Sequence, residues 1–218
     1  MAYDLEEQEQ IASLQAFWNK YGNLITWVLI IALGSYAAYN FWNYRQSSQA
    51  VEASALYDQL QDALTKEKNN VKVQRIATDV ESKYERSIYA PMSALVAAKS
   101  AFDASDLKTA KTQLQWVIEH GNDEYQAVAK LRLAGVLLDE KAYDGALKVL
   151  GTTFVPQFAG EVADRKGDVL GAQNKLVEAR AAYQAALTAM DKKNPGRQLV
   201  QLKLEAIGGV VAETKAAA

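Results

Sequence analysis

A run of 24 uncharged residues, from Tyr21 to Tyr44, constrains this chain more than any other feature. At a rise of about 1.5 Å per residue, a helix of that length spans roughly 36 Å, which exceeds the hydrocarbon core of a bilayer at about 30 Å. Its centre is apolar on every side of a helical wheel, whereas a soluble core helix needs one apolar face. Trp27 and Trp42 lie near its two ends, where aromatic rings suit membrane interfaces. The run predicts a transmembrane helix over residues 23–44.

Two other interpretations of this run stay open: a cleaved secretory signal and the buried helix of a soluble protein. Small residues at Ser35 and Ala37 fit a cleavage site, but four acidic residues precede the run, where a signal peptide is basic. Apolar and aromatic residues also continue as far as Trp42. We therefore expect an uncleaved anchor. Lys20 and Arg45 flank it almost symmetrically, so charge leaves its orientation open.

The charge balance argues against a nucleic-acid-binding protein. The net charge is −2, and because Lys20 and four acids precede the anchor, 23 basic and 22 acidic residues follow it. Such a balance provides no basic patch for nucleic acid. With no Cys, the chain has no disulfides or thiolate metal sites.

Residues 1–22 have the pattern of an amphipathic helix, with a break expected at Gly22–Asn23. After the anchor we expect an all-α domain over residues 45–212 and a frayed tail over residues 213–218. The sequence from Arg45 to Lys66 has no helix breaker, so the anchor can continue directly into the first helix of that domain.

Three segments of the domain repeat one spacing, in which an apolar trio follows a turn. The trios are Leu107, Ala110 and Leu114; Tyr143, Ala146 and Leu150; and Leu176, Ala179 and Tyr183. Nine residues before each trio stands a small residue: Ala98, Ala134 and Gly167. A period of 33 to 36 residues with small residues at helix crossings predicts stacked helical hairpins.

This pattern, from Pro91 to Met190, resembles degenerate tetratricopeptide repeats. The resemblance implies a concave face lined by the first helix of each hairpin. The predicted apolar groove on that face consists of Met92, Leu95, Lys99, Phe102, Val128, Leu131 and Leu138. Gly135 lies in the second row, and the third row is acidic, with Glu161, Asp164 and Asp168. The alternative is that the helix over residues 47–66 covers these rows as core.

Nothing in the sequence predicts an enzyme, a metal site or a cofactor. His120 is the only histidine and lies in a turn, so it has no partners for a metal-ligand set. No glycine-rich phosphate loop follows a strand-like segment, and no serine has a neighbouring histidine base. Protein–protein interaction is the remaining class.

The segment EEQEQIASLQAFWNKYGNLITWVLIIALGSYAAYNFWNYRQ, together with YERSIYAPMSALVAAKSAFD, resembles the YfgM family of bacterial inner-membrane proteins. The resemblance implies an ancillary subunit of the SecYEG translocon with a cytoplasmic N-terminal tail and a periplasmic repeat domain. It also implies partnership with the chaperone PpiD and with unfolded or nascent secreted proteins. The small residues Gly34, Ser35, Ala37 and Ala38 are candidates for packing the anchor in the lipid bilayer against the translocon. A scaffold for envelope assembly or cell-division factors is the alternative function.

Overall fold

The computed structural model describes residues 5–210 of the chain. Within this range the chain forms nine α-helices and one short 3-10 helix, and no strand. Their bounds are α1 Leu5–Thr65, α2 Asn70–Lys83, α3 Tyr89–Asp103, α4 Leu107–His120, α5 Asp123–Asp139, α6 Tyr143–Leu150, the 3-10 helix Pro156–Phe158, α7 Ala159–Ala172, α8 Leu176–Ala189 and α9 Arg197–Ala206. The predicted all-α fold class is confirmed. The tail at 213–218 lies outside the described residues.

The chain divides into two compact units after Val51. In the first unit, α1 passes through Gly22–Asn23 without interruption, so the predicted break is wrong. A glycine inside a helix costs only about 1 kcal/mol. Here the indole of Trp18 packs against Gly22, and the Thr26 hydroxyl donates to the Gly22 carbonyl at 2.8 Å. These contacts support the helix at its weakest residue.

Part of α1 is long and apolar enough to cross a membrane, and no residue in its most apolar 18-residue window is buried. A core helix of a soluble protein would be mostly buried, so this exposure favours the membrane interpretation. A Cβ atom added to Gly34 would meet nothing within 4 Å. The small-residue face around Gly34 is therefore open, and its packing against another helix stays a prediction.

The second unit is built from paired helices, as the repeats predict. The first residue of each trio begins the second helix of a pair: Leu107 begins α4, Tyr143 begins α6 and Leu176 begins α8. The alanine of each trio is fully buried: Ala110, Ala146 and Ala179. The predicted helical-hairpin repeat is confirmed.

The turn inside each hairpin has one backbone geometry. Ser105, Lys141 and Asn174 occupy the left-handed region, with φ of 61°, 59° and 60°. The amide of the next residue then donates back to a carbonyl in the last turn of the first helix, as Ala142 does to Leu137 at 2.8 Å. This is the Schellman pattern of helix termination. It fixes where each second helix starts.

The small residue predicted at each helix crossing packs with the third member of its trio. Ala98 and Leu114 share one hydrophobic cluster, and Ala134 and Leu150 share another. In the third hairpin, by contrast, glycine occurs where the other two have alanine. A Cβ atom on Gly167 would overlap the buried ring of Tyr183. Tyr183 is larger than the leucine at this position in the other two hairpins, and the lack of a methyl group at Gly167 makes room for its ring.

The end of α1 belongs to the repeat domain. Leu60 and Ala63 are fully buried and cluster with Val73 of α2 and with Ala90 and Ala97 of α3. The helix that contains the apolar run therefore continues directly into the first helix of the domain, as the lack of a breaker predicts.

Gly167→Ala tests the helix crossing. The added methyl group would overlap the Tyr183 ring, so the free energy of unfolding should fall by about 1–2 kcal/mol, after the better helix propensity of alanine is included. In the background of Tyr183→Leu the same change should be neutral or stabilising, because the methyl group then fills vacated space. Denaturant unfolding followed by circular dichroism on the full chain in detergent measures both effects. Gly135→Ala is the control, since a Cβ there would lie 3.9 Å from Arg165. Equal effects of Gly167→Ala in both backgrounds would contradict this account.

Candidate functional site: a cavity on the inner helices

The first helices of the three hairpins, α3, α5 and α7, line most of a cavity of about 380 Å³, to which α4 contributes Leu114. Its lining contains Ala98, Lys99, Phe102, Asp103, Leu114, Arg132, Gly135, Val136, Asp139 and Arg165. We call this space the inner cavity. The inner cavity combines an apolar floor with charged walls.

Only part of the predicted groove lines the inner cavity. Lys99 and Phe102 do so, and Phe102 keeps 38% of its surface exposed. Leu95 is buried, and Val128 packs against the same hydrophobic cluster. The remaining members are Leu131 and Leu138, which pack against the cluster of α5, α6 and α7, and Met92, which is half-buried. A binding role for any of them stays a prediction.

The face of α5 that lines the cavity is rotated by about one residue position from the predicted face. Gly135 belongs to both sets, but the cavity contains Arg132 and Asp139 where the repeat pattern predicts Leu131 and Leu138. The two leucines are instead half-buried in the hydrophobic cluster that includes Val162 of α7. Packing between neighbouring hairpins sets this rotation, because the larger apolar side chains take the positions that exclude water.

Lys203 of the last helix lies between two carboxylates of the acidic third row. The Lys203 ammonium of α9 lies 2.9 Å from Asp164 Oδ1 and 2.8 Å from Asp168 Oδ1. The Tyr183 hydroxyl donates to Asp168 at 3.0 Å, and Arg165 approaches the same carboxylate at 3.4 Å. Asn194 donates to Glu161 at 3.3 Å. Side chains from α8, from α9 and from the loop between them therefore contact the acidic row.

Burial sets the acid–base properties of this network. It raises the pKa of Asp164, although the hydrogen bond from Lys203 lowers it in part. It also raises the pKa of Tyr183, which the negative charge of Asp168 raises further. Asp164 therefore depends on Lys203 to remain ionised at low energetic cost.

A second titratable cluster joins the ends of α2 and α4. The His120 ring stacks on Trp116 with the ring centroids 4.5 Å apart, and its Nδ1 lies 2.9 Å from the Trp116 carbonyl oxygen. Its Nε2 lies 3.8 Å from Glu85 Oε1. Burial raises the pKa of Glu81 to about 7, and His120 acts in the opposite direction. Within residues 5–210, Glu81 Oε1 is buried without a hydrogen-bond partner.

Known proteins are similar to this chain along most of its length. A family described as a tetratricopeptide repeat-like domain matches residues 15–209. A protein of Neisseria gonorrhoeae named Ancillary SecYEG translocon subunit is 34% identical over 208 residues, which cover 95% of this chain and 100% of that protein. The chain belongs to the YfgM family.

Two further relatives extend the YfgM family comparison. The protein from Escherichia coli K12 is 28% identical over 199 residues, covering 91% of this chain and 95% of its own length. The protein from Haemophilus influenzae is 26% identical over 205 residues, which cover 94% of this chain and 98% of its own length. Both are also named Ancillary SecYEG translocon subunit. No solved structure matches the chain.

Lys203→Met tests the α9 network in this YfgM family member. Loss of the ammonium leaves two partly buried carboxylates close together, so the free energy of unfolding at pH 7.5 should fall by about 2 kcal/mol. The loss should shrink towards pH 4, because protonation of Asp164, whose pKa is already raised, removes the uncompensated charge. Denaturant unfolding at both pH values measures this difference. Lys166→Met is the control on α7, and a loss for Lys203→Met that is independent of pH would contradict the electrostatic explanation.

Glu81→Gln tests the second cluster. A carboxyl with a pKa of about 7 when folded and 4.5 when unfolded binds its proton more tightly in the folded state. Its contribution to stability is therefore greatest below pH 4.5 and falls as the pH rises to 7. Glu81→Gln should remove this slope and raise the free energy of unfolding at pH 7.5 by about 1 kcal/mol. Thermal unfolding between pH 4 and pH 8 measures this dependence of stability on pH, and the exposed Glu85→Gln variant is the control. An unchanged slope would show that Glu81 is not its source.

Proposed function

We propose that this protein is a non-enzymatic, single-pass inner-membrane subunit of the SecYEG translocon. Its repeat domain would lie in the periplasm and bind newly translocated polypeptide in the inner cavity. The relatives' shared name supports the translocon association, and the match extends through the apolar helix as well as the domain. The exposed apolar window of α1 fits an inner-membrane location.

The observation that carries the binding role is the inner cavity itself. It holds a large aromatic side chain, Phe102, that is 38% exposed although it lies on an inner helix of the domain. An exposed ring beside a concave surface is an attachment point for apolar side chains of an unfolded segment. Each such contact is weak, and tethering to the translocon would raise the local concentration of emerging chains.

The orientation and the other partners are parts of this proposal. The N-terminal segment would be cytoplasmic, and α1 would pack its face of Gly34, Ser35, Ala37 and Ala38 against the translocon. A PpiD-like chaperone would share the emerging chains. The resemblance to the YfgM family supports each of these assignments, and the open surface around Gly34 is compatible with close helix packing.

Site-specific photo-crosslinking in native membranes tests the proposal. A photoreactive phenylalanine derivative is placed in turn at Gly34, at Ala38 and at Phe102, where it preserves an aromatic ring. Exposed Val177 on α8 is the matched control, outside the inner cavity. We expect translocon adducts from the two anchor positions and adducts with many nascent secreted chains from Phe102, but few from Val177.

Two outcomes would overturn parts of this function. Adducts from Phe102 with a single folded envelope protein would favour the scaffold function. Absence of translocon adducts from both anchor positions would contradict the proposed association. Phe102→Ala should lower capture of nascent chains at least threefold without changing translocon adducts. Phe102 is a cleaner position for a variant than Leu131, because Leu131 packs against a hydrophobic cluster, where a polar substitution would disturb folding.

A further inference from the structure

Three carboxylates of the inner face, Asp103, Asp164 and Asp168, have cationic partners within the domain. Asp103 accepts from Lys99 on the same helix at 2.7 Å. Asp164 and Asp168 share the ammonium of Lys203, and Asp168 also has Arg165 at 3.4 Å. Lys99 and Arg165 therefore each lie beside a carboxylate of this chain, the Lys99 pair in an exposed position and Arg165 at 3.4 Å.

Arg132 is the exception among the cations of the inner cavity. Its Nη1 donates to the backbone carbonyl of Leu95 at 3.3 Å, and no carboxylate lies within 4 Å of it in the part of the chain that the structure describes. A guanidinium has five N–H donors, and this bond uses one of them. The bond to α3 holds the side chain at the cavity wall. The remaining donors match the two oxygens of a carboxylate.

An apolar surface is available in the same cavity. Phe102 is exposed on α3, and Ala98, Leu114 and Val136 complete an apolar floor. Asp139, the other carboxylate of the lining, lies two helical turns along α5 from Arg132, or about 10 Å. A ligand carboxylate is therefore favoured at the Arg132 end and disfavoured at the Asp139 end.

The lining helices also set the form of the ligand. Three neighbouring helices packed at about 8–10 Å span roughly 20 Å, which is the length of about six residues in an extended chain. A cavity that crosses three helices suits the middle of an extended segment better than a chain end alone.

We propose that the inner cavity selects extended peptide segments in which an internal Asp or Glu adjoins a large apolar side chain. Arg132 binds the carboxylate, and Phe102 contacts the apolar side chain. This inference rests on the proposed function and makes it more specific. Segments with Lys or Arg in place of the acid are disfavoured, because they would leave Arg132 facing a like charge.

Peptide binding to the full chain in nanodiscs tests this selectivity. The probes are fluorescein-labelled twelve-residue peptides with amidated C termini, in which a central Phe-Glu-Leu lies in a glycine–serine context. Matched peptides carry Gln or Lys in place of Glu, and a fourth peptide carries Gln and ends in a free carboxylate. Fluorescence anisotropy at 50 and 300 mM salt should show the Glu peptide binding five- to tenfold more tightly than the Gln peptide, with the Lys peptide weakest. The preference should shrink at high salt.

Variants identify the responsible residue. Arg132→Gln should reduce the preference for Glu over Gln to less than twofold, and Arg132→Lys should leave an intermediate preference because the bidentate geometry is lost. Lys130→Gln is the matched control: it removes one positive charge from α5, but Lys130 contacts Thr153 and Phe154 outside the inner cavity. Asp139→Asn should strengthen binding of the Glu peptide about twofold. Circular dichroism melting confirms that each variant is folded.

The outcomes separate this inference from the function on which it rests. Equal binding of the Glu, Gln and Lys peptides, with all three weakened by Phe102→Ala, would overturn the charge selectivity and leave client binding intact. Binding of only the peptide with a free C terminus would overturn the choice of an internal acid. Failure of every peptide to bind would overturn both the inference and the proposed binding function. Equal loss of selectivity in Lys130→Gln and Arg132→Gln would also overturn the role of Arg132.

Discussion

The close approach of the two helices in each hairpin is the contact on which the rest of this domain depends. At Ala98, Ala134 and Gly167 the side chain is small enough for the second helix to pack directly against the first. The hairpins share this crossing, and the inner cavity lies where their first helices, α3, α5 and α7, line one space. The charge and polarity of the cavity come from side chains at positions that the repeat pattern does not specify.

Much of this fold is predictable from the sequence because its signals are local. Apolar trios after a turn require only the 3.6-residue period, and the structure begins α4, α6 and α8 at the residues that this spacing indicates. The apolar run is equally local. By contrast, the break expected at Gly22–Asn23 depends on intrinsic propensity alone. In the structure, the Trp18 side chain and a continuous backbone hydrogen-bond ladder outweigh that preference.

The candidate site is harder to predict because contacts between distant residues decide it. Lys203 contacts Asp164 across 39 residues of sequence, and no local pattern links them. Leu131 and Arg132 are adjacent on α5, and hairpin packing decides that the leucine is half-buried in a cluster while the arginine lines the cavity. A rotation of one residue therefore changes a predicted apolar groove into a cavity with charged walls.

The pairing of Gly167 with Tyr183 has a consequence for how such a repeat can diversify. Two of the three hairpins combine alanine with leucine at this crossing, and the third combines glycine with tyrosine. Starting from the common pair, a lineage that acquires the tyrosine first must pass through an overcrowded intermediate, whereas loss of the methyl group first leaves only a small void. Of the two orders, the one in which glycine precedes tyrosine therefore has the more stable intermediate.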